Sequence, residues 1–308
     1  MMLCYVNKTI ATLYEKPCFY KNQKLEINGV EKEYEVSAIA DEVLYGMPLL
    51  ILGEDKEYYK VRTFYSYEGY ILKTDVIFKE KLEAQIVMNG IYVDVLNVPK
   101  VQGIPLISLT RGCLVEQLAW EAEGYSKVRL LDGREGYVPA KYVRNKLFAT
   151  DAFRPSGTVS NSESWRVFLQ NHLDKYFQGS VQSFRDAVAA TAMTYMGTQY
   201  RWGGKTPLGI DCSGATSMSY MLNGILTYRD AAIVEGYPVK EIPRADMQKG
   251  DLLYFKGHIA MYLGDNLYLH STARTGSNGV DINSFDPKDL RYRKDLDEGL
   301  LKVGTIFW

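Results

Sequence analysis

One cysteine of this 308-residue chain stands where a thiol can act as a nucleophile. Cys212 follows a glycine-rich loop, Tyr200–Gly204, and a second short loop, Gly209–Asp211. The apolar pattern after it predicts a helix that runs to Asn223 and is closed by Gly224. The first turn of a helix offers unpaired N–H groups and the positive end of its dipole, which favour a thiolate and would stabilise an oxyanion. We therefore expect the pKa of Cys212 to lie below the roughly 8.5 of a free thiol.

A thiol nucleophile needs a base, and the chain has three histidines, His172, His258 and His270. The last two lie on alternating apolar segments that predict the two strands of a hairpin, with its turn at Gly264–Asn266. His172 instead belongs to the apolar stripe of a helix predicted over Trp165–Phe177, so we interpret it as a packing residue. If His258 and His270 act together they must share a face of the hairpin. A two-residue turn would put them on opposite faces, so we predict a three-residue turn or a bulge.

Several motifs, in order, resemble those of the NlpC/P60 cysteine peptidases, which cleave the peptide stems of the bacterial cell wall. The motifs are Tyr-x-Trp-Gly-Gly at 200–204, Asp-Cys-Ser-Gly at 211–214, Lys-Gly-Asp-Leu-Leu-Tyr-Phe at 249–255, Gly-His-Ile-Ala at 257–260 and Tyr-Leu-His at 268–270. The resemblance covers about residues 180–308. It implies a papain-like core in circularly permuted order.

The resemblance also implies a catalytic role for each matching residue. Cys212 would be the nucleophile, His258 the general base and His270 the residue that orients the base. Tyr200 would assist the oxyanion hole together with the backbone N–H of Cys212. The resemblance implies no cofactor and no metal.

The residues beside the nucleophile are implied substrate contacts. By the same resemblance, Asp211 and Ser213 would touch the N-terminal end of the substrate. Ala231 is a departure, because related enzymes can carry a serine there that contacts the substrate. This difference affects the expected specificity and leaves the catalytic interpretation unchanged.

The first half of the chain contains an internal repeat. Tyr58–Arg62 and Glu68–Ile71 recur 67 positions later, as Tyr125–Arg129 and Glu135–Val138. Each copy has short alternating strands and glycine turns, a pattern typical of a small β-barrel. The copies resemble bacterial SH3 domains. The first copy is longer by a polar and charged insertion around Asn22–Ser37, which we interpret as a solvated loop.

These patterns predict a multidomain protein in which two small all-β SH3-like barrels precede an α+β domain. We place the barrels at 1–78 and 79–148, a linker with a helix at 149–182, and the NlpC/P60 peptidase domain at 183–308. Residues 150–162 are rich in Ser, Thr, Asn, Gly and Pro, as surface linkers are. The peptidase domain is expected to begin with a capping box at Ser183 and to end with a strand near Val303.

Tandem SH3-like modules before an NlpC/P60 domain resemble the γ-D-glutamyl-L-diamino acid endopeptidases of the dipeptidyl-peptidase VI type, which trim free murein peptides. In that subgroup an acidic residue and a tyrosine of the first module bind the free amine of the substrate. The acidic candidates here are Asp41 and Glu42, and the tyrosine is Tyr70 or Tyr67. The physical basis is a charge-assisted hydrogen bond between a carboxylate and an ammonium group.

The composition limits which partners and which cellular location we expect for the protein. The net charge of −1 gives no basic surface for nucleic acid, and no segment approaches the roughly 20 apolar residues of a membrane span. No signal peptide is visible, so the sequence as it stands predicts a cytoplasmic protein, and a cell-envelope or secreted one if a leader has been removed. Cys4, Cys18 and Cys113 form no disulfide framework and are interpreted as packed thiols.

The resulting hypothesis is hydrolysis of the γ-D-glutamyl–diamino acid bond of murein peptides with a free N-terminal L-alanine. Whether the diamino acid is diaminopimelate or lysine stays open, as does the oligomeric state. The alternatives are an amidase or acyltransferase of the same superfamily, or a wall-binding protein whose peptidase domain is inert. A zinc site of Cys212, His258 and His270 is a further alternative on ligand type, although no paired motif such as C-x-x-C supports it.

Overall fold

The computed structural model describes residues 2–80, 82, 85–120, 124–151, 159 and 161–308. The chain divides into two compact units. The first comprises Met1–Thr63 and Tyr67–Arg144, and the second comprises Phe64–Ser66 and Asn145–Trp308. Most of the linker predicted at 150–162 lies outside the described residues. The three predicted boundaries between the four segments stay predictions.

The described part of the first unit is built almost entirely of β-strands. In chain order these are β1 (Leu3–Val6), β2 (Ile10–Tyr14), β3 (Tyr20–Ile27), β4 (Val30–Ser37), β5 (Ile39–Leu44), β6 (Pro48–Asp55), β7 (Tyr58–Thr63), β8 (Glu68–Leu72), β9 (Val76–Ile77), β10 (Gln85–Met88), β11 (Val93–Leu96), β12 (Pro105–Leu109), β13 (Leu114–Trp120), β14 (Tyr125–Arg129), β15 (Glu135–Pro139) and β16 (Val143–Asn145). Alternate residues of β2, β8 and β14 are buried, as expected for strands with one face on a core.

The internal repeat corresponds to two antiparallel sheets of the same strand order. One sheet runs β5-β2-β8-β7-β6-β1-β9 and the other β12-β11-β15-β14-β13-β10-β16. Each strand of the first sheet therefore has a counterpart in the second, and β7 and β14 start 67 positions apart, at 58 and 125. The prediction of two copies of one β-unit is confirmed at the level of strand order.

The charged insertion of the first copy is a regular hairpin, and its interpretation as a loop is wrong. Strands β3 and β4 pair without a break from Tyr20–Ser37 to Ile27–Val30. Asn28 and Gly29 form the turn with φ values of 54° and 76°, which suit a two-residue hairpin turn. The side chains are mostly exposed, as expected for a hairpin whose two faces meet water. The Asn28–Gly29 pair indicates a hairpin turn, and the charged composition of the segment led to the interpretation as a loop instead.

The second unit contains helices followed by an antiparallel sheet. Its elements are α1 (Ser162–Phe177), α2 (Val181–Met193), β17 (Lys205–Thr206), β18 (Gly209–Ile210), α3 (Cys212–Leu222), β19 (Lys240–Ile242), β20 (Leu252–Phe255), β21 (His258–Gly264), β22 (Leu267–Thr272), β23 (Gly279–Ser284), α4 (Lys294–Glu298) and β24 (Lys302–Thr305). The main sheet has the order β19-β24-β20-β21-β22-β23. No helix in the described ranges has the length and apolar character needed to span a membrane.

Helix starts and ends mostly follow the expected residues. Helix α3 begins at Cys212 and Asn223 caps its C-terminal end, as predicted. Helix α2 starts two residues before Ser183, because Ser180 is its N-cap and accepts a hydrogen bond from the Ser183 N–H. Ser183 is therefore the third residue of the helix, and the predicted capping box is wrong.

Helix α3 is buried along its whole length, against β21 and β22 among other elements. Small residues permit this close packing, as at Ala215 and Ser219, which are fully buried. A side chain at Gly214 would place its Cβ 2.1 Å from the carbonyl oxygen of Gly204. A Cβ at Gly204 would lie 2.5 Å from the carbonyl oxygen of Gly209. These contacts explain why the loop and the helix start both carry glycine.

A buried ion pair joins α2 to the residue before β20. Arg185 donates to the Asp251 carboxylate at 2.8 Å and to the Lys249 carbonyl at 2.6 Å. The two side chains are 5% and 0% exposed. Asp251 also accepts the Gln248 N–H at 2.7 Å. Loss of one partner leaves the other charge buried and uncompensated, which is the costly case for an internal ion pair.

We predict that Asp251→Asn lowers the free energy of unfolding by about 3–5 kcal/mol, as expected when a buried ion pair loses one charge. Asp186→Asn is the matched control. It removes the exposed Lys249–Asp186 pair, whose side chains are 39% and 50% exposed, and should cost less than about 1 kcal/mol. Urea denaturation of both variants measures the difference. Equal losses would contradict the assigned role of the buried pair.

Candidate active site

The site is built around the first turn of α3. Cys212 is the first residue of that helix and is 7% exposed. Asp211 is its N-cap, and the Asp211 carboxylate accepts the Gly214 N–H. The other carboxylate oxygen accepts the Gly203 N–H at 2.9 Å. One side chain therefore fixes both the helix start and the glycine-rich loop.

Arg229 completes this arrangement, and the sequence did not reveal its role. Its guanidinium forks onto the Asp211 carboxylate, with N–O distances of 2.9 and 3.1 Å, and donates to the Ser213 hydroxyl at 2.7 Å. Arg229 is 2% exposed. Asp211 is therefore already paired with a buried cation, and Ser213 is oriented by the same guanidinium. Their predicted contact with substrate stays a prediction.

The hairpin of β21 and β22 brings the two predicted histidines together. Met261 pairs with Leu269 and Tyr262 with Tyr268, whereas Gly264 pairs with Leu267, so the strand bulges at Leu263. The turn itself has two residues, Asp265 and Asn266, both with positive φ. The bulge restores the parity that the two-residue turn breaks, as predicted. Nε2 of His258 consequently lies 2.7 Å from Nδ1 of His270.

Asn283 of β23 extends this pair and was missed at the sequence level. His270 pairs with Asp281 across the strands, so Asn283, two residues further, lies on the same face. Its Oδ1 is 2.9 Å from Nε2 of His270. Its Nδ2 donates to the Arg291 carbonyl at 3.1 Å, which fixes the orientation of the amide. A polar residue in an otherwise strand-like segment was the available signal.

The orientation of Asn283 determines the proton positions on both neutral histidines. Because Oδ1 is an acceptor, Nε2 of His270 carries the proton and its Nδ1 is a lone pair. That lone pair accepts from Nε2–H of His258. Nδ1 of His258 is then left as a lone pair, the form that a general base requires.

The thiol lies at the start of β21. The Cys212 sulfur accepts a hydrogen bond from the backbone N–H of Ile259, the residue after His258. Burial raises the pKa of Cys212 to about 11, and the nearby Asp211 carboxylate adds to the rise. The N–H groups of Ile259 and Ser213 and the charge of Arg229 oppose it without overcoming it. The expectation of a lowered pKa is therefore wrong for the free site, because burial outweighs the helix terminus.

The pKa of the His258 imidazole is shifted in the opposite direction. Burial, followed by the charges of His270 and Arg293, lowers the pKa of His258 to about 3. Burial also lowers the pKa of His270, although the hydrogen bond that its ring N–H donates to Asn283 Oδ1 opposes this shift. At neutral pH the site therefore holds a neutral thiol and a neutral imidazole. If the thiol is the nucleophile, its proton must pass to a base as it attacks.

Tyr200 stands in the glycine-rich loop, where its backbone N–H donates to the Asn278 carbonyl at 3.3 Å. Burial raises the pKa of Tyr200, and the negative charges of Cys212 and Asp211 raise it further. The phenol thus stays protonated, and it lies near enough to Cys212 for a thiolate there to raise its pKa. A protonated phenol is a suitable donor to an oxyanion.

The remaining predicted residues lie in the first unit. Asp41 and Glu42 are adjacent on β5 and are 0% and 3% exposed. Tyr67 and Tyr70 are half-buried, Tyr67 just before β8 and Tyr70 within it. Their contribution to substrate binding stays a prediction. Within the described ranges, no three His, Cys, Asp or Glu side chains form a cluster that could hold a metal ion.

Comparison with known proteins identifies relatives of this chain. The model of the NlpC/P60 family matches residues 197–293. Dipeptidyl-peptidase 6 of Lysinibacillus sphaericus is 39% identical over 279 residues, which make up 87% of this chain and 92% of that protein. The gamma-D-glutamyl-L-lysine dipeptidyl-peptidase of Bacillus subtilis is 35% identical over 117 residues, 35% of this chain and 38% of that one.

A solved structure gives a likeness of fold across the chain. The crystal structure of an NlpC/P60 family protein from Bacillus cereus matches 98% of this chain and 98% of its own, with a TM-score of 0.67. Sequence identity in that match is 16%, so the likeness concerns the fold alone.

We predict that Asn283→Leu lowers kcat by roughly tenfold to a hundredfold with little change in KM, because the acceptor that sets the histidine tautomers is lost. Asn283→Asp keeps an acceptor and should recover most of the rate. Its negative charge should also raise the pKa of His270, which moves the acidic limb of the pH–rate profile upward, since a protonated His270 cannot accept from His258.

Both variants are checked by pH–rate profiles and by ¹⁵N NMR of labelled histidine, which reports the tautomers directly. A wild-type rate for Asn283→Leu, or an unchanged acidic limb for Asn283→Asp, would remove Asn283 from the relay.

Proposed function

The chain belongs to the NlpC/P60 family of cysteine peptidases, and from that premise we propose that it hydrolyses the γ-D-glutamyl–diamino acid bond of murein peptides that begin with a free L-alanine. The observation that carries the proposal is the hydrogen-bonded series His258–His270–Asn283 close to a thiol at a helix start. Asn283 and His270 set the tautomer of His258. The distances are 2.7 Å between His258 Nε2 and His270 Nδ1 and 2.9 Å between His270 Nε2 and Asn283 Oδ1. The 39% identity to dipeptidyl-peptidase 6 over 87% of the chain supports the choice of reaction.

The first half of the proposed reaction forms an acyl-enzyme. The Cys212 sulfur attacks the γ-carbonyl of D-glutamate while its proton passes to Nδ1 of His258. The N–H of Cys212 at the helix start and the Tyr200 hydroxyl donate to the oxyanion that develops. His258 then gives its proton to the leaving amine of the diamino acid as the C–N bond breaks.

The second half releases the acyl group. His258, neutral again, takes a proton from water as the water oxygen attacks the thioester carbonyl. The thiolate leaves and is reprotonated from His258, which yields L-Ala-D-Glu and restores the site. The raised pKa of the buried thiol suits this sequence, because the protonated thiol is the stable resting form.

We propose that the two repeats of the first unit are SH3-like barrels and that the first one recognises the free amine of the substrate. Asp41 and Glu42 are the acidic candidates and Tyr70 or Tyr67 the aromatic one. Both carboxylates are buried, so neither is a solvated surface charge of the usual kind. A buried carboxylate favours an ammonium partner and disfavours a neutral acyl group in the same place.

We predict that Cys212→Ala abolishes release of L-Ala-D-Glu, whereas Cys18→Ala, which changes a half-buried thiol of the first unit, leaves turnover intact. His172→Gln should retain the wild-type kcat, since His172 packs on Phe168 and bonds the Asn223 carbonyl at 2.8 Å. EDTA should have no effect, because the thiol mechanism uses no metal. Mass spectrometry of murein-peptide digests measures each rate. Activity of Cys212→Ala, or its loss with chelator in the wild type, would refute the mechanism.

We further predict that N-acetylation of the substrate lowers kcat/KM by roughly tenfold to a hundredfold. The reason is loss of one charge-assisted hydrogen bond worth about 1.5–3 kcal/mol. The assay compares L-Ala-γ-D-Glu-diaminopimelate with its N-acetyl form and with intact sacculi. Equal rates on the three substrates would show that the first repeat does not select a free amine.

A further inference from the structure

Ser271 is a fully buried serine on β22, directly after His270. Successive side chains of a strand point to opposite faces of the sheet, so the Ser271 hydroxyl lies on the face that His270 does not use. This hydroxyl donates a hydrogen bond to the backbone carbonyl of Ile210 at 2.7 Å. The contact joins segments 61 positions apart, and the proposed mechanism makes no use of it so far.

The acceptor of this bond lies in the nucleophile loop, Gly209–Asp211, which leads directly into Cys212, the first residue of α3. Ile210 is fully buried. Its N–H donates to the Gln199 carbonyl at 3.1 Å, and its carbonyl also accepts from the Arg201 N–H at 3.2 Å. The nucleophile loop is therefore held from two sides, by the segment that contains the glycine-rich loop and by β22.

The donor of the bond lies on the strand at the centre of the histidine series. Strand β22 pairs with β21, which carries His258, and with β23, which carries Asn283. This sheet fixes the positions of the two histidines, whereas the start of α3 fixes the position of Cys212. Proton transfer from sulfur to imidazole needs both groups in a narrow range of distance and orientation. The spacing between the sheet and the helix start therefore limits the reaction.

Other contacts constrain this spacing less directly. The Cys212 sulfur accepts from the Ile259 N–H, and that bond must change when the sulfur attacks a carbonyl carbon. The Val280 N–H of β23 donates to the Thr198 carbonyl at 2.9 Å, and from there the nucleophile loop is reached only through further backbone units. The Ser271 hydroxyl instead joins β22 to the nucleophile loop in one step.

We propose that Ser271 is a positioning residue, whose hydroxyl holds the nucleophile loop against β22 and so sets the separation between the Cys212 sulfur and the His258 imidazole. It acts through Ile210 and neither binds the substrate nor transfers a proton. A hydroxyl suits this role, because a short side chain on a rigid strand has little freedom and can donate to a carbonyl. The inference rests on the proposed function and adds one residue to its machinery.

The test measures kcat and KM of Ser271→Ala on L-Ala-γ-D-Glu-diaminopimelate. The variant is expected to fold, since the Ile210 carbonyl still accepts the Arg201 N–H. We expect kcat to fall roughly tenfold with KM within about twofold, because a small misplacement of the reacting groups slows the chemical step more than it weakens binding. Ser271→Thr keeps a hydroxyl on the same carbon and should recover most of kcat.

Ser219→Ala is the matched control. Ser219 is also fully buried and donates to a backbone carbonyl, that of Ala215, at 2.6 Å. That bond stays within α3, so its loss removes a buried hydrogen bond without releasing the nucleophile loop. Ser219→Ala should keep the wild-type kcat. Thermal unfolding shows whether each variant is folded at the assay temperature.

A second readout separates spacing from proton position. The ¹⁵N NMR spectrum of labelled histidine should show the same tautomers in Ser271→Ala as in the wild type. The reason is that the hydrogen bonds of His270 to His258 and Asn283 lie on the opposite face of the strand from the deleted hydroxyl. A loss of kcat with unchanged tautomers is the signature of a misplaced thiol and base.

Five outcomes overturn the inference while the proposed function stands. They are a wild-type kcat for Ser271→Ala, an equal loss of kcat in Ser219→Ala, altered histidine tautomers in Ser271→Ala, a folded Ser271→Thr that is no faster than Ser271→Ala, and a Ser271→Ala that does not fold, which would make Ser271 a residue of the general fold. Absence of cleavage of every murein peptide by the wild type would instead refute the proposed function, and the inference would fall with it.

Discussion

The Asp211 carboxylate is the point on which the site depends. It closes the first turn of α3, holds the Gly203 backbone and pairs with the buried guanidinium of Arg229. Without the cap, the Gly214 N–H would lose its partner, the first turn of α3 would be less stable, and the glycine loop would lose its anchor. Without Arg229, a carboxylate 7% exposed would lie uncompensated beside a sulfur that must become negative. The ion pair therefore lets a structural carboxylate lie next to the proposed nucleophile.

Burial is the main cause of the pKa shifts of both the Cys212 thiol and the His258 imidazole. The same exclusion of water raises the pKa of Cys212 to about 11 and lowers that of His258 to about 3. Both shifts favour the neutral forms, so the free site carries no thiolate–imidazolium pair. In the proposed reaction, charge separates only when the sulfur attacks a carbonyl carbon and hydrogen-bond donors stabilise the carbonyl oxygen. This arrangement protects the thiol from adventitious reaction, because the thiolate is the reactive form.

The site residues that lie in short local motifs could be predicted from the sequence. Those that reach the site only through contacts between distant segments could not. Cys212 at a helix start, the two histidines on one hairpin and the need for a bulge all follow from spacing within short segments. Asn283 reaches His270 through the pairing of β22 with β23. Gly276, Asn278 and Gly279 predict a turn between these strands but do not by themselves fix the register of the pairing. Arg229 reaches Asp211 across 18 positions, which comprise helix α3 and the irregular segment after it. No local period encodes such contacts.

The wrong expectations have related causes. The lowered thiol pKa came from the helix terminus alone, a local feature, whereas burial is a property of the whole fold. The solvated loop at 22–37 came from composition, whereas Asn28 and Gly29 give the turn that a hairpin needs regardless of the charge around it. In each case a correct local observation was outweighed by a second effect that acts on the same atoms.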